Sequence, residues 1–506
     1  MRVRKSAATG VDRKPGRGVS VLFATSEIAP WVKTGGLGDV AAGLPPALRR
    51  AGVDVKVLVP RYPALALAFP SAPVIAELSN LGGELPPASL CEASAADGTP
   101  LLLLDCPILY DRPGNPYLGA GGRDWHDNHI RFGLLSRVAA LLAGSSNPLP
   151  WQARILHCND WQSALAPSYL NYFGGLGARA ATLLTVHNLA FQGLFGQHAL
   201  SELALPPHAW AMDGVEYHGQ LSFLKAGLQH ADWITTVSPG YAGEIQSDSE
   251  GMGLAGLLRW RGDSLSGIRN GIDTDIWNPA VDPYLVSAYD AAHLAKKAAN
   301  KSELQRRLGL DQRKDVPLLG VVSRLTEQKG LDLLPPLEKQ LAALPVQLAV
   351  LGSGGRQHEL AMSEMATNHP GQFAVTIGFD EGLAHMIEAG ADIFLMPSRF
   401  EPGGLNQMYS LRYGTPPIVR KTGGLADTVI DYAPALVAAG KPDTANGFVF
   451  RDPTAEALLA AIRRAVAAWR EPKLWRQLQR NGMAQDWSWA EPASQYVDLY
   501  RKLGKS

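Results

Sequence analysis

The chain of 506 residues carries 47 lysines and arginines against 47 aspartates and glutamates, so its net charge is zero. Broad attraction to nucleic acid or to an acidic membrane is therefore excluded, and the length predicts two large domains rather than one core. Three cysteines, Cys91, Cys106 and Cys158, rule out a disulfide framework and suit a reducing cytoplasm, and no apolar run approaches the ~20 residues needed to cross a bilayer.

Residues 1–18 hold Arg2, Arg4, Lys5, Arg13, Lys14 and Arg17 against Asp12 alone and lack the apolar centre of a secretory signal, which predicts a disordered basic tail, with a short basic transit peptide as the alternative. Strand-like runs follow at Val19–Thr25, Asp54–Val59, Leu101–Asp105, Arg154–His157, Ala181–Val186 and Trp233–Val237. The second half reads as strands at Pro317–Val322, Gln347–Leu351, Ala374–Ile377, Ile393–Met396 and Pro416–Val419. Most are continuously apolar and alternate with helix-like stretches, the pattern of parallel sheets covered on both faces. The halves meet at Ser266-Gly267-Ile268-Arg269-Asn270-Gly271-Ile272-Asp273, which fits a linker or an ordinary turn. This divides the chain into α/β domains over 19–268 and 269–483, with 484–506 as a closing segment. Helix-like Ala455–Met483 ends the second domain, and Trp489–Leu503 follows as a separate helix.

Functional residues belong just past the carboxyl ends of such strands. Lys33-Thr34-Gly35-Gly36-Leu37-Gly38-Asp39 returns as Lys421-Thr422-Gly423-Gly424-Leu425-Ala426-Asp427. A double glycine beside a lysine lets backbone N–H groups and a mobile cation approach a phosphate; a duplicated strand-to-helix turn with a purely architectural role has the same appearance. Asn159-Asp160 and His187-Asn188 end neighbouring strands and offer a surface for sugar hydroxyls and carbonyls, although Asp160 also suits a helix cap and His187 a hydrogen-bonded wall. Arg324 and Lys329 follow another strand and are spaced to meet one diphosphate at a helix N-terminus, or to be solvated charges. The densest constellation is Pro397-Ser398-Arg399-Phe400-Glu401-Pro402-Gly403-Gly404-Leu405-Asn406-Gln407-Met408-Tyr409. There the Glu401 carboxylate, flanked by the backbone N–H groups of Gly404 and Leu405, is placed to hold sugar hydroxyls while those N–H groups hold phosphate. No Ser-His-Asp order, Cys-x-x-Cys pair or His-Glu-x-x-His stands out, which disfavours a protease or a zinc site.

Together Lys33–Asp39, Tyr110-Asp111-Arg112-Pro113-Gly114, His187-Asn188, Asn270-Gly271-Ile272-Asp273, Ser323–Gly330, the Glu401 loop and Lys421–Asp427 resemble the ADP-glucose-dependent glycogen synthase and starch synthase family. The matches run in order over nearly the whole chain from Val19. The resemblance implies a GT-B fold, two Rossmann-like domains facing a cleft, with the last helix crossing back to the first domain. It implies retaining transfer of glucose from ADP-glucose to the 4-hydroxyl at a non-reducing end of an α-1,4-glucan, without metal or organic cofactor, in the cytoplasm. By the same resemblance Lys33, Gly36 and Asp39 fall in the donor-diphosphate loop, and Arg324 and Lys329 neutralise the leaving ADP. Glu401 holds the donor glucose, and the His187 backbone carbonyl lies beside the anomeric carbon. Asp160 and Asn188 are sugar-side groups, and Tyr110 is a wall near the donor. Gly404, Leu405 and Lys421 accompany the diphosphate, and Phe379 covers adenine. Two positions stand out. Gly403 replaces the family's usual cysteine, and Tyr409 occupies the place of a second acid in wider relatives, as this family's own pattern has it. A sugar-nucleotide epimerase, a pyridoxal-phosphate-dependent phosphorylase and a catalytically weak glucan-binding protein are the competing readings on the same fold.

Overall fold

The computed structural model describes residues 18–119, 121–173, 179–433 and 444–505; all but the last residue of the expected basic tail lies outside them. Strands of the first domain are β1 (Ser20–Ala24), β2 (Asp54–Pro60), β3 (Val74–Leu78), β4 (Ala88–Ser94), β5 (Pro100–Asp105), β6 (Ile155–Asn159), β7 (Ala181–Val186), β8 (Leu194–Phe195), β9 (Glu216–Tyr217), β10 (Gln220–Ser222), β11 (Trp233–Thr236) and β12 (Leu265–Gly267). Nine form one sheet in the order β12-β11-β7-β6-β1-β2-β5-β4-β3, and β8, β10 and β9 form a small separate sheet. The large sheet is parallel except that β4 runs against both its neighbours. The second domain has β13 (Leu318–Val322), β14 (Gln347–Gly352), β15 (Phe373–Ile377), β16 (Ile393–Met396), β17 (Pro417–Arg420) and β18 (Phe448–Phe450). They lie in the order β15-β14-β13-β16-β17-β18, all parallel.

Alternation along the strands explains the layering. In β13 and β14, Leu319, Val321, Leu348 and Val350 join one apolar cluster, whereas Leu318, Ala349 and Leu351 join another. Successive side chains point to opposite faces, so each face needs its own helical cover. Strand order reverses beside β1 in the first sheet and beside β13 in the second, because β1 pairs with β2 and β6, and β13 with β14 and β16. The carboxyl ends at such switch points open the crevices of α/β proteins. Here they carry the Lys33 loop, Asp160, Arg324 and the Glu401 loop.

The expected single helix over Ala455–Met483 is two helices, Ala455–Trp469 and Pro472–Met483. Pro472 lacks an N–H and its ring obstructs the preceding turn, so it opens a helix and cannot continue one. The last helix, Ala490–Leu503, lies on the first domain. A Cβ at Gly43 would sit 2.1 Å from the Trp489 Nε1, so only glycine fits beneath that ring. Tyr500 shares a 2.8 Å hydrogen bond with His157 Nδ1, and Tyr496 and Leu503 join the first domain's core. Of the expected linker, Ser266 and Gly267 belong to β12, so the chain leaves the sheet only at Ile268, which donates to Thr236 O at 2.8 Å. The two passages between domains run side by side, with Ile272 N donating to Trp487 O at 2.8 Å and Arg269 pairing with Glu491 at 3.4 Å. Among the described residues no helix is long and apolar enough to cross a membrane.

Candidate active site in the interdomain cleft

A cleft of about 560 Å³ lies between the domains, lined on one side by Lys33, Thr34, Tyr62, Arg112 and Arg131 and on the other by Arg324, Ser353 and Phe379. Four of these eight side chains are cationic, although the whole chain is neutral. Lys33 and Arg112 are paired with Asp39 and Asp127, and Arg131 is buried, so among the described residues Arg324 is the exposed, unpaired cation of this lining.

On the first-domain wall, the loop after β1 is pinned by Glu27. This carboxylate is buried and accepts the Thr34 N–H at 2.7 Å, the Thr34 hydroxyl at 2.6 Å and the Tyr117 hydroxyl at 2.5 Å. The loop leads into helix Gly36–Arg50, whose N-cap, Gly35, supplies no side-chain hydrogen bond. Its first N–H groups are thus open to an anion. Lys33 pairs with Asp39 at 2.8 Å; burial lifts the Asp39 carboxyl above its ordinary range, with Lys33 opposing. Gly36 faces the second domain, since a Cβ there would lie 3.7 Å from Leu405 Cδ1.

The ends of β6 and β7 carry Asp160, His187 and Asn188, none of which lines this 560 Å³ cleft. Asp160 adopts φ +58° and is buried, which pushes its carboxyl up to about 7 against the hydrogen bonds it accepts from His187 N and Asn188 N at 3.2 and 3.5 Å. It therefore holds the turn that carries His187 rather than capping a helix through its side chain. Burial pushes the His187 imidazole down to about 3, so the ring is neutral near pH 7. Its Nε2 lies 3.1 Å from Asn159 Oδ1, while Asn159 Nδ2 donates to Ala24 O and His157 O; Nε2 thus carries the proton. Asn188 uses its side-chain oxygen to accept from Ala190 N at 3.1 Å. Tyr110 is not a cleft wall. It is fully buried, its hydroxyl donates to Arg131 O at 2.7 Å, and its ring meets the cleft-lining Tyr62 edge-on. Its motif neighbours Arg112, Pro113 and Gly114 face the cleft instead.

On the second-domain wall, Arg324 follows β13, is exposed, and has no ion pair among the described residues. The expected α-helix beginning there is absent. Three short 3₁₀ turns, Glu327–Lys329, Leu331–Leu333 and Pro335–Leu337, precede helix Glu338–Ala342. Gly330 takes φ +65° and Pro335 and Pro336 follow, so the backbone cannot wind as α. No helix macrodipole therefore helps Arg324. Lys329 turns to Glu401, with Nζ 2.6 Å from Oε2, and Ser398 Oγ donates to the same oxygen at 2.9 Å. Glu401 is 5 % exposed, and Oε1 is the atom left facing outward. Gly404 turns at φ +63° before helix Asn406–Arg412. Phe379 is 78 % exposed and borders the cleft.

The second glycine loop has a different job from the first. Gly424 N donates to Glu401 O and Pro402 O, and Gly423 N donates to Glu244 Oε1 of the first domain at 2.8 Å. Thr422 Oγ1 reaches Glu244 Oε2 at 3.1 Å. A Cβ on Gly423 would lie 2.1 Å from Glu401 O, and one on Gly424 2.1 Å from Gly403 O. These N–H groups are already committed, so the loop buttresses Glu401 rather than cradling phosphate. Lys421 is exposed beside it and does not line the cleft. Sequence reasoning also missed Glu27, Tyr62, Arg131 and a stack in which Trp277 lies between His385 and Tyr409, with ring centroids 3.9 and 3.8 Å away. Tyr409, at the place of the second acid, is thus a packing ring.

Comparison with known proteins agrees with this arrangement. Residues 20–260 match the family described as the starch synthase catalytic domain, and residues 302–483 match glycosyl transferases group 1. A glycogen synthase of Dechloromonas aromatica is 60 % identical over 96 % of this chain and 98 % of its own. One from Aromatoleum aromaticum is 53 % identical over 96 % and 97 %. The catalytic domain of starch synthase IV from Arabidopsis thaliana, solved with ADP and acarbose, superposes with TM-score 0.84 at 31 % identity, over 97 % of this chain and 100 % of that one. Sucrose-phosphate synthase from Thermosynechococcus elongatus, at 19 % identity and TM-score 0.58 over 96 % and 98 %, shares the fold, which is GT-B.

Proposed function

This chain belongs to the glycogen synthase and starch synthase family of glycosyltransferases, and we propose that it transfers glucose from ADP-glucose to the non-reducing end of an α-1,4-glucan with retention of configuration. The observation that carries this reading is the cationic cleft, where Lys33, Arg112 and Arg131 face Arg324 and Phe379. A nucleoside diphosphate sugar is anionic in its middle and aromatic at one end, and this cleft complements both.

As the bond from glucose C1 to the diphosphate breaks, negative charge grows on the leaving oxygen and positive charge on the sugar ring. Arg324 and Lys33, with the open N–H groups at Gly36, stabilise the first. Glu401, its Oε2 fixed by Lys329 and Ser398, offers Oε1 to a sugar hydroxyl, and the His187 carbonyl backs the anomeric carbon. Donors aimed at developing charge in a water-poor cleft are each worth about a hundredfold in rate. With His187 neutral and the Asp160 carboxyl committed to the turn that carries it, we assign the acceptor proton to the leaving phosphate oxygen. Transfer in this scheme uses protein cations alone, without metal or organic cofactor. A cytoplasmic setting is part of this reading, and the three buried, free cysteines support it.

The test is glucose incorporation into glycogen from ADP-glucose and from UDP-glucose, with wild type and Glu401→Ala, and with product anomers followed by NMR. Transfer from ADP-glucose as an α-linkage, collapsing in the variant, supports the reading. Faster transfer from UDP-glucose overturns the donor, and glucan binding without transfer overturns the activity.

A further inference from the structure

Outside the cleft, three metal-ligating side chains converge. His129 Nε2 lies 2.6 Å from Glu202 Oε2, and the ring of His198 meets that of His129 edge-on with centroids 5.7 Å apart. One ligand atom from each of the three falls within 4.8 Å of the others. None of the three lines the cleft. We propose that His129, His198 and Glu202 form a binding site for a divalent transition-metal ion of the zinc class, which staples two segments of the first domain together.

The donor set decides the class of ion. Two imidazoles and one carboxylate suit zinc, whereas calcium and magnesium take oxygen ligands throughout. Zinc–nitrogen and zinc–oxygen bonds of about 2.0–2.2 Å set tetrahedral ligands about 3.3 Å apart, so the 2.6 Å His129–Glu202 pair opens slightly around an ion, with a His198 nitrogen within 4.8 Å of both. An entering ion displaces the proton shared by His129 and Glu202, and a water completes the fourth position.

Two of the three ligands are already fixed. His129 is buried at the start of helix Asn128–Ala143, and Glu202 ends the short helix Ala199–Glu202. The Glu202 carbonyl accepts Glu84 N at 2.7 Å, and a Cβ at Gly83 would strike that carbonyl, so its backbone is locked. His198 is exposed one helical turn before Glu202 and shares its face. Gly196 makes room for it, since a Cβ there would lie 2.6 Å from His198 Nδ1. The third ligand is therefore exposed and the other two are preorganised, so an ion can be reached from solvent on the His198 side. The ion would tie the segment after β8 to the helix that carries Arg131, a cleft residue, and would act on rigidity and not on glucose transfer.

The experiment uses the full-length, tag-free protein. Zn²⁺ is titrated by calorimetry, Co²⁺ by its visible absorption, and Tm is read with and without Zn²⁺, for wild type, His198→Ala and Glu202→Gln. Loss of an outer-shell partner already weakens metal binding about 10–100-fold, so loss of the exposed ligand His198 is expected to weaken it at least about a hundredfold. Expected are one bound equivalent, intense Co²⁺ bands of low coordination number and a Zn²⁺-dependent rise in Tm, all lost in both variants. No binding at micromolar Zn²⁺, or wild-type binding in His198→Ala, overturns the proposal. Circular dichroism of the apo variants separates misfolding from ligand loss, and Glu202→Gln keeps a hydrogen-bond acceptor for His129 if His198→Ala fails that check.

Discussion

Lys329 and Glu401 form a 2.6 Å ion pair whose side chains are only 18 % and 7 % exposed, at the carboxyl ends of adjacent strands β13 and β16. The pair joins the expected charge-neutralising lysine to the expected glucose-binding acid in one unit. Each therefore sets the state of the other.

Removing one member leaves the other charged and poorly solvated, which costs about 3–5 kcal/mol. Lys329→Met and Glu401→Gln should each lower stability to urea, and the double substitution should recover most of that loss. Turnover should fall about a hundredfold or more in all three. Recovery of turnover in the double variant would reduce the pair to scaffolding.

Glu27 holds the Lys33 loop through three hydrogen bonds. Bonds to a charged group contribute about 1.5–3 kcal/mol each. Glu27→Gln, which keeps the shape and loses the charge, should lower kcat/KM for the donor by roughly tenfold to a hundredfold while leaving KM for maltooligosaccharide unchanged. Equal change in both constants would mean general loosening of the domain.

Asp160 and His187 give stability a defined pH dependence. The Asp160 carboxyl is raised in the folded state to about 7, so the folded protein binds its proton more tightly than the unfolded chain. The resulting stability is complete below the ordinary carboxylate range and is lost as pH rises toward 7. Compared with wild type, Asp160→Asn should therefore gain stability between pH 4 and pH 7 and stay level above. His187 runs the other way: its pKa is lowered to about 3, so its contribution is complete above about 6.5 and is lost as pH falls. Urea unfolding of Asp160→Asn and His187→Gln across this range separates the two.

Gly403 stands against the first domain. A Cβ there would lie 3.1 Å from Val237 Cγ2 and 3.3 Å from Asn270 Nδ2. Restoring the family's cysteine should overpack this contact and cost about 1–3 kcal/mol. Val237→Ala should relieve it, so the double variant should be more stable than Gly403→Cys alone. A fully stable single variant would show that the domains part to admit the thiol.

Glu244 reaches from the first domain to Thr422 and Gly423, beside the Glu401 loop. Glu244→Ala should weaken the compaction that small-angle scattering detects on adding ADP and maltooligosaccharide, and should alter kcat and KM together. Unchanged compaction would make this contact indifferent to closure.

Much of the fold was legible because buried parallel strands are continuous apolar runs. Each of the eleven strands expected has its counterpart within a residue or two. β3 and β4 escaped because β3 is half-exposed along its length, and β12 and β18 because three residues carry no pattern. The break at Pro472 was in the sequence as a proline inside a helical stretch, and the periodicity on either side overrode it. At the site, glycines and charges past strand ends marked the loops. Glu27 had no signal, since Tyr117, its partner 90 positions away, arrives only on folding. Tyr110 lay in a matching motif, yet the short helix Pro107–Tyr110 turns it inward. The two Lys-Thr-Gly-Gly copies look alike because both need close backbone approach; whether the neighbour is a ligand or the Glu401 loop depends on tertiary packing.

The paired passages between the domains have a mechanical consequence. Two backbones hydrogen-bonded through Ile272 and Trp487, with Gly271 pressed against Ser488, behave as a door hung on two pins. A swing about the line through the pins would disturb these contacts least. Closure of the halves on a ligand along that one angle would return Glu401 to the same face of the opposite wall.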